Sequence, residues 1–178
     1  MRELLIGCGS RRDKRLISPG ETEEWGDLTT LDINEAHKPD VVWDLNIRPL
    51  PFDGDTFDTI RAFDVLEHLG AQGDYRAFFD EWSEWWRILK PGGIFYGISP
   101  HRSSDWAWGD PGHTRIIQPE LFTFLHQPNY ETQIGNTPMS DYRFCFRADF
   151  DMIHSVVDGG TYQFGLRAVK PSRIKETS

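Results

Sequence analysis

Five short apolar runs punctuate the first half of this chain, and each closes on a glycine, an acid or a serine where the backbone must turn. Leu4-Leu5-Ile6 leads into Gly7-Cys8-Gly9. Residues 28–32 close on Asp32, 41–43 on Asp44, 57–63 on Asp64 and 94–99 on Ser99. Runs this short, bounded by turn residues, predict buried strands. Between the fourth and fifth runs the period changes. Phe78, Phe79, Trp82, Trp86 and Leu89 recur at helical spacing, with Asp80, Glu81, Glu84 and Arg87 on the opposite, solvent face, so a helix is predicted over 74–89. Pro91-Gly92-Gly93 ends it before the fifth strand. Strands joined by crossovers imply an α/β fold with a doubly wound, mostly parallel sheet, because parallel neighbours need such connections.

The second half is less regular. Residues 101–114 read as a long polar and aromatic loop, and 118–125 as a short helix with Pro119 in its first turn. Two stretches rich in aromatic and β-branched residues, 142–152 and 161–169, flank Asp158-Gly159-Gly160 and predict a C-terminal antiparallel hairpin. Its open edge offers a surface for pairing two copies as a homodimer. The 178 residues make one domain over 1–170, followed by a loose polar tail over 171–178.

Charge narrows the partners. Nineteen basic against 28 acidic residues leave a net charge of −9, which repels phosphate backbones and disfavours nucleic acid. The basic cluster Arg11, Arg12, Lys14 and Arg15 reads as a solvated loop. No apolar run has the length of a membrane span, and Met1-Arg2-Glu3 leads straight into the first strand, so no leader and a cytoplasmic location are expected. Cys8 and Cys145 stand apart without a CxxC pair and are expected as buried, reduced thiols.

In a parallel sheet ligands bind beyond the C-terminal strand ends. Gly7 and Gly9 allow close backbone approach after the first strand. Asp32 follows Gly9 by 23 positions, near the spacing of a ribose-binding acid, and a carboxylate there can accept from both ribose hydroxyls. Asp44 after the third strand can accept from the amino group of an adenine. The dinucleotide pattern G-x-G-x-x-G fails at Arg12, and the stretch that follows carries Pro19 and Gly20 where a helix would meet a pyrophosphate. A nucleoside cofactor without phosphates fits better than a nicotinamide dinucleotide.

The segments LLIGCGS, TLDIN, VVWDLN, PFDGDTFDTIRAFDVLEHL and WRILKPGGIFYGIS, in that order, resemble the class I S-adenosylmethionine-dependent methyltransferases. FDTI…DVLEHL followed by RILKPGG is similar to the type 11 branch in particular. The resemblance implies a Rossmann-like domain with S-adenosylmethionine as cofactor. It implies a cofactor set of Gly7, Cys8, Gly9, Asp32, Ile33, Asp44, Leu45, Phe63 and Asp64. Gly7 and Gly9 would line the methionine part, Asp32 the ribose, Asp44 and Leu45 the adenine, and Phe63 or Asp64 the methionine end. The Asn-Pro-Pro-Tyr motif of nucleic-acid amino-methyltransferases does not occur.

Methyl transfer to an oxygen of high pKa needs a base within hydrogen-bond reach. The candidates are His113, Asp110 and His68, with His101 beside them. The segment SPHRSSDWAWGDPGHTR follows the fifth strand and should overhang the transfer site. Trp106 and Trp108 either wall an acceptor or pack the loop; Asp110 and His113 either orient a hydroxyl or brace a turn. His101, Asp105, Asp110 and His113 lack a recognisable ligand spacing, so no resident metal is expected. The group Trp82, Trp85 and Trp86 reads as core. The leading reading is O- or N-methylation of a small molecule or sugar-like metabolite. The second is a protein that binds S-adenosylmethionine without turnover, in regulation or assembly.

Overall fold

The computed structural model describes residues 1–175. The apolar runs form strands β1 (Arg2–Ile6), β2 (Asp27–Asp32), β3 (Val41–Val42), β4 (Phe57–Phe63) and β5 (Leu89–Pro100), and the hairpin supplies β6 (Phe150–Asp158) and β7 (Thr161–Ala168). They make one seven-stranded sheet in the order β3-β2-β1-β4-β5-β7-β6. The first five strands are parallel; β7 lies antiparallel between β5 and β6. The chain reverses direction across the sheet at β1, which is flanked by β2 and β4, and this switch point opens a crevice at their C-terminal ends.

Helix α1 (Tyr75–Ile88) begins where Asp74 Oδ1 accepts from Ala77 N at 3.0 Å, an N-cap that satisfies one orphan donor. Its aromatic stripe builds the core. The Trp82 ring packs against Phe95, Phe122 and Phe150 with centroids 5.1, 5.2 and 5.6 Å away. The charged face does not all meet solvent as the periodicity predicts: Glu81 and Glu84 are buried. Glu84 accepts from Leu50 N and the Arg87 guanidinium, and Glu81 holds Arg115. On the same face of β5, Gly97 lies beneath the Phe164 ring, and a Cβ there would sit 2.1 Å from Phe164 Cζ. Gly97→Ala should therefore cost about 1–3 kcal/mol by overpacking, read as a lower urea midpoint at unchanged slope.

Several boundaries differ from the sequence reading. Strand β5 starts at Leu89, not at 94, because Pro91-Gly92-Gly93 forms a bulge between the Phe57–Leu89 and Thr59–Ile94 pairs. Strand β6 starts at Phe150, not at 142: Tyr142 turns inward to stack near Tyr75 and Phe79, so its segment fills core and does not pair. The hairpin turns on Gly159 and Gly160, both with positive φ. The expected helix over 118–125 is a 3₁₀ helix, Pro119–Leu125. Two short helices arise within expected loop, α2 (Asp105–Gly109) and α3 (Gln127–Gln133).

The opposite sheet face is covered by residues 10–26, which carry no helix. Ile17 packs there against Tyr96 and Ile98. The basic cluster is not simply solvated: the Lys14 side chain is 4% exposed and pairs with Glu3 at 2.9 Å, and Arg15 pairs with Asp64 at 2.7 Å. Arg61 bridges Glu3 and Glu21 beneath this loop. Cys8 is buried as expected, but Cys145 is exposed, because it sits in the turn that follows Tyr142. The tail is tied down where it is described, with Arg173 on Asp149 and Asp151 at 2.6 and 2.7 Å and Lys175 on Glu131 at 2.7 Å. Residues 176–178 of the expected tail lie outside the described residues. Among the described residues no helix is long and apolar enough to cross a membrane.

Candidate active site

The first turn is built on two glycines in the left-handed region. Gly7 has φ 56°, and a Cβ there would lie 2.4 Å from Val65 Cγ2. Gly9 has φ 54° and faces open space, since a Cβ there meets nothing within 4 Å. Gly9 N donates to Asp32 Oδ2 at 2.8 Å, and Asn34 N to Asp32 Oδ1 at 2.8 Å. Asp32, 6% exposed, is thus fixed at the end of β2 with one backbone bond on each oxygen. His37 Nδ1 also lies 3.3 Å from Oδ1, so of the about four acceptor sites of the carboxylate the spare capacity is greatest on Oδ2.

A cavity of about 280 Å³ opens at this crevice. Of the residues expected around the cofactor, Gly7, Asp32, Ile33, Asp44, Leu45 and Asp64 line it. Asp44 is held at the end of β3 by Asn46, whose backbone N–H donates to Oδ1 at 2.8 Å and whose amide does so at 3.1 Å. Asp64 adopts φ 58°, which an aspartate tolerates, and bends the chain away from β4. Three expected residues stand outside the lining. Gly9 braces Asp32 through its N–H. Cys8 is buried behind the turn, where burial and the nearby Asp32 carboxylate push its thiol pKa up against the pull of Arg12, so it stays neutral. Phe63 points to the opposite sheet face, packed with the Ile17 cluster and covered by the Arg15 guanidinium at 5.3 Å. Sequence reading had not singled out Trp43, Val65 or Leu69, which complete the wall.

The acid–histidine cluster forms where a 3₁₀ turn, Leu66–His68, meets the loop after β5. The Glu67 carbonyl accepts from Thr114 N at 2.9 Å, which docks this loop onto the turn. Glu67 is 2% exposed; its Oε2 accepts from Ser99 Oγ at 2.9 Å. Burial pushes the Glu67 carboxyl pKa up, outweighing the hydrogen bonds from its own backbone and from Ser99. His68 Nδ1 donates to Gly112 O at 3.1 Å. His113 Nε2 stands 3.9 Å from Glu67 Oε1 and 3.9 Å from Asp110 Oδ2. The two imidazole rings meet edge to face, with centroids 4.6 Å apart.

His68 lines the first cavity, whereas His113 lines a second, of about 420 Å³, together with Gln72, Arg102, Trp108, Thr114 and Arg115. The His68 and His113 rings, in contact, therefore bring the two cavities together, and Asp110, which lines neither, stands beside His113. Trp108 borders the second cavity, its indole N–H tied to Arg102 O at 2.9 Å; Trp106 is not part of that lining. His101 turns into its own loop, 2.8 Å from Ser103 Oγ. Glu67 was missed in the sequence, although an acid inside the apolar stretch Val65-Leu66-Glu67-His68-Leu69 is the signal that could have found it. Arg115 clamps the assembly, its guanidinium on both oxygens of Glu81 at 2.8 and 2.7 Å and its Nε on Leu66 O at 2.8 Å.

The profile of a family described as "Methyltransferase domain" matches residues 4–97. A Mycolicibacterium smegmatis protein described as "Probable S-adenosylmethionine-dependent methyltransferase" is 30% identical over 139 residues, which cover 73% of this chain and 52% of that protein. This chain thus spans about half the length of that relative. Among solved structures, a SAM-dependent methyltransferase from Archaeoglobus fulgidus aligns with a TM-score of 0.55 at 19% identity, over 95% of this chain and 86% of that one. Phosphoethanolamine N-methyltransferase 1 from Haemonchus contortus, solved with phosphoethanolamine and S-adenosylhomocysteine, aligns with a TM-score of 0.59 at 13% identity, over 99% and 41% of the two chains. The N-methyltransferase NodS from Bradyrhizobium japonicum, solved with S-adenosylhomocysteine, aligns at 0.51 and 14% identity over 94% and 77%. At these identities the structural likeness is one of fold.

Proposed function

This chain belongs to the methyltransferase-domain family, and we propose that it transfers a methyl group from S-adenosylmethionine to an oxygen or nitrogen of a small, sugar-like molecule. The observation that carries the reading is two cavities meeting at one wall, with Asp32 and Asp44 in the first and His113 in the second. Asp32 would hold the ribose hydroxyls, Asp44 and Leu45 the adenine edge, and Gly7 with Asp64 the methionine end. The open space at Gly9 and the spare acceptor capacity of Asp32 fit such a nucleoside. Bound there, the cofactor would supply an electrophilic methyl group for an in-line displacement, chemistry that rests on alignment of the reacting atoms.

The second cavity would take the acceptor. Its lining of Gln72, Arg102, Thr114 and Gln118 suits a molecule rich in hydroxyl or carboxylate groups. His113, with Asp110 beside it, would orient the nucleophile, and the 3₁₀ turn that carries His68 ties this position to the cofactor side. The net charge of −9 supports a small acceptor over a nucleic acid. His113→Ala should slow transfer by about 10²-fold or more while cofactor affinity is retained. Single-turnover formation of S-adenosylhomocysteine, with acceptors drawn from a panel of sugars and hydroxy acids, reads the first quantity, and calorimetry reads the second. Unchanged transfer would reduce the loop to scaffolding.

A further inference from the structure

We propose that Glu67, His68 and His113 form a site for a divalent transition-metal ion that holds an acceptor oxygen at the wall between the two cavities. The proposal rests on the methyltransferase reading for the identity of the acceptor, but not for the ion itself. One ligand atom from each of the three residues lies within 4.8 Å of the others. Glu67 Oε1 has no hydrogen-bond partner although the residue is 2% exposed. A buried carboxylate oxygen left without a partner is costly, and a cation would relieve it.

The spacing separates an ion from a shared proton. At 3.9 Å, His113 Nε2 is too far from Glu67 Oε1 and from Asp110 Oδ2 for a direct hydrogen bond. Two ligand atoms each about 2.0–2.2 Å from a common ion stand roughly 3–4 Å apart, a range that takes in His113 Nε2 and Glu67 Oε1, while His68 lies within 4.8 Å of both. Two of the three ligands have the outer partners a metal site uses, while His113 Nδ1 is buried without one. His68 Nδ1 is committed to Gly112 O, which leaves Nε2 for the ion, and Glu67 Oε2 is committed to Ser99 Oγ, which leaves Oε1. Such outer partners fix the tautomer and the ring orientation.

Two imidazoles and one carboxylate select first-row ions such as Mn²⁺, Fe²⁺, Co²⁺ or Zn²⁺ over Mg²⁺ and Ca²⁺, which favour all-oxygen sets. Three protein ligands leave coordination positions open for an acceptor. An oxygen bound there has a lowered pKa, so the cluster prepares a nucleophile without requiring a free histidine base. Glu67 and His68 lie far from His113 in sequence, which is why no ligand spacing marked the site.

The test is calorimetric titration of chelator-treated protein with Zn²⁺ and with Mg²⁺, and with Co²⁺ followed by its visible absorption. We expect one equivalent of Zn²⁺ bound, no heat from Mg²⁺ at the same concentrations, and affinity weakened roughly tenfold or more in each of His68→Ala, His113→Ala and Glu67→Gln. His68 is exposed and Glu67→Gln keeps shape, so these two variants retain the fold if His113→Ala does not. No Zn²⁺ uptake, or equal uptake in all variants, overturns the site. S-adenosylmethionine is titrated into the same preparation. Cofactor binding without Zn²⁺ binding removes the ion and leaves the methyltransferase reading. Zn²⁺ binding without cofactor binding upholds the ion and removes that reading.

Discussion

Arg115→Ala should lower folding stability by about 3–5 kcal/mol, the loss expected when one partner of a buried ion pair is removed. Arg115 makes a two-pronged contact with Glu81 at 2.8 and 2.7 Å, and both side chains are almost wholly buried. Glu81 keeps Arg48 at 3.8 Å and the Trp85 indole at 3.4 Å, but neither replaces a guanidinium fork. Truncation therefore leaves a charged carboxylate under α1 and also removes the bond to Leu66 O, which holds the 3₁₀ turn of Glu67 and His68. For a domain of this size the melting temperature should fall by roughly 6–20 °C. Arg115→Lys should recover part of the loss, since it restores charge but not the planar fork. A loss below about 1 kcal/mol by urea unfolding would mean that water enters and solvates Glu81, and that the loop is not clamped as described.

Asp32→Ala should weaken S-adenosylmethionine binding by roughly 10- to 150-fold, from about 1.5–3 kcal/mol for hydrogen bonds to a charged acceptor. Asp32 also receives the backbone N–H groups of Gly9 and Asn34, so its removal loosens the first turn as well. Asp32→Asn separates the two roles: one amide oxygen keeps a turn contact, while the amide NH₂ cannot accept from a ribose hydroxyl. Calorimetry on both variants, beside their unfolding curves, reads affinity apart from stability. An unchanged affinity in Asp32→Ala would displace the ribose from this carboxylate.

The parts of the fold that depend on local pattern were legible. The 3.6-residue stripe of Phe78, Phe79, Trp82 and Trp86 marked α1 to within a residue at each end. The apolar runs before Gly7, Asp32 and Asp44 marked β1 to β3. What failed depends on distant partners. Nothing near Glu81 in the chain announces that Arg115 will bury it, and nothing near Lys14 announces Glu3. Tyr142 carries a strand-like side chain but is recruited into the aromatic core. The site divides the same way. Asp32 and Asp44 line the cavity as their positions at the C-terminal ends of parallel strands predict. Phe63 stands outside the cavity lining because adjacent strand residues alternate faces, and its side chain packs with the Ile17 cluster instead. Glu67 gave little signal because its contact with the histidines forms only once the 110–115 loop folds back over a short 3₁₀ turn.

The crevice lined by Gly7, Asp32 and Asp44 is where we propose that S-adenosylmethionine binds. Calorimetric titration of the purified protein with S-adenosylmethionine, with S-adenosylhomocysteine and with NAD tests it most directly. Saturable binding of the first two and no heat from NAD are expected, because the turn after β1 offers no helix for a pyrophosphate. Binding of NAD, or silence from both S-adenosyl compounds, would contradict it.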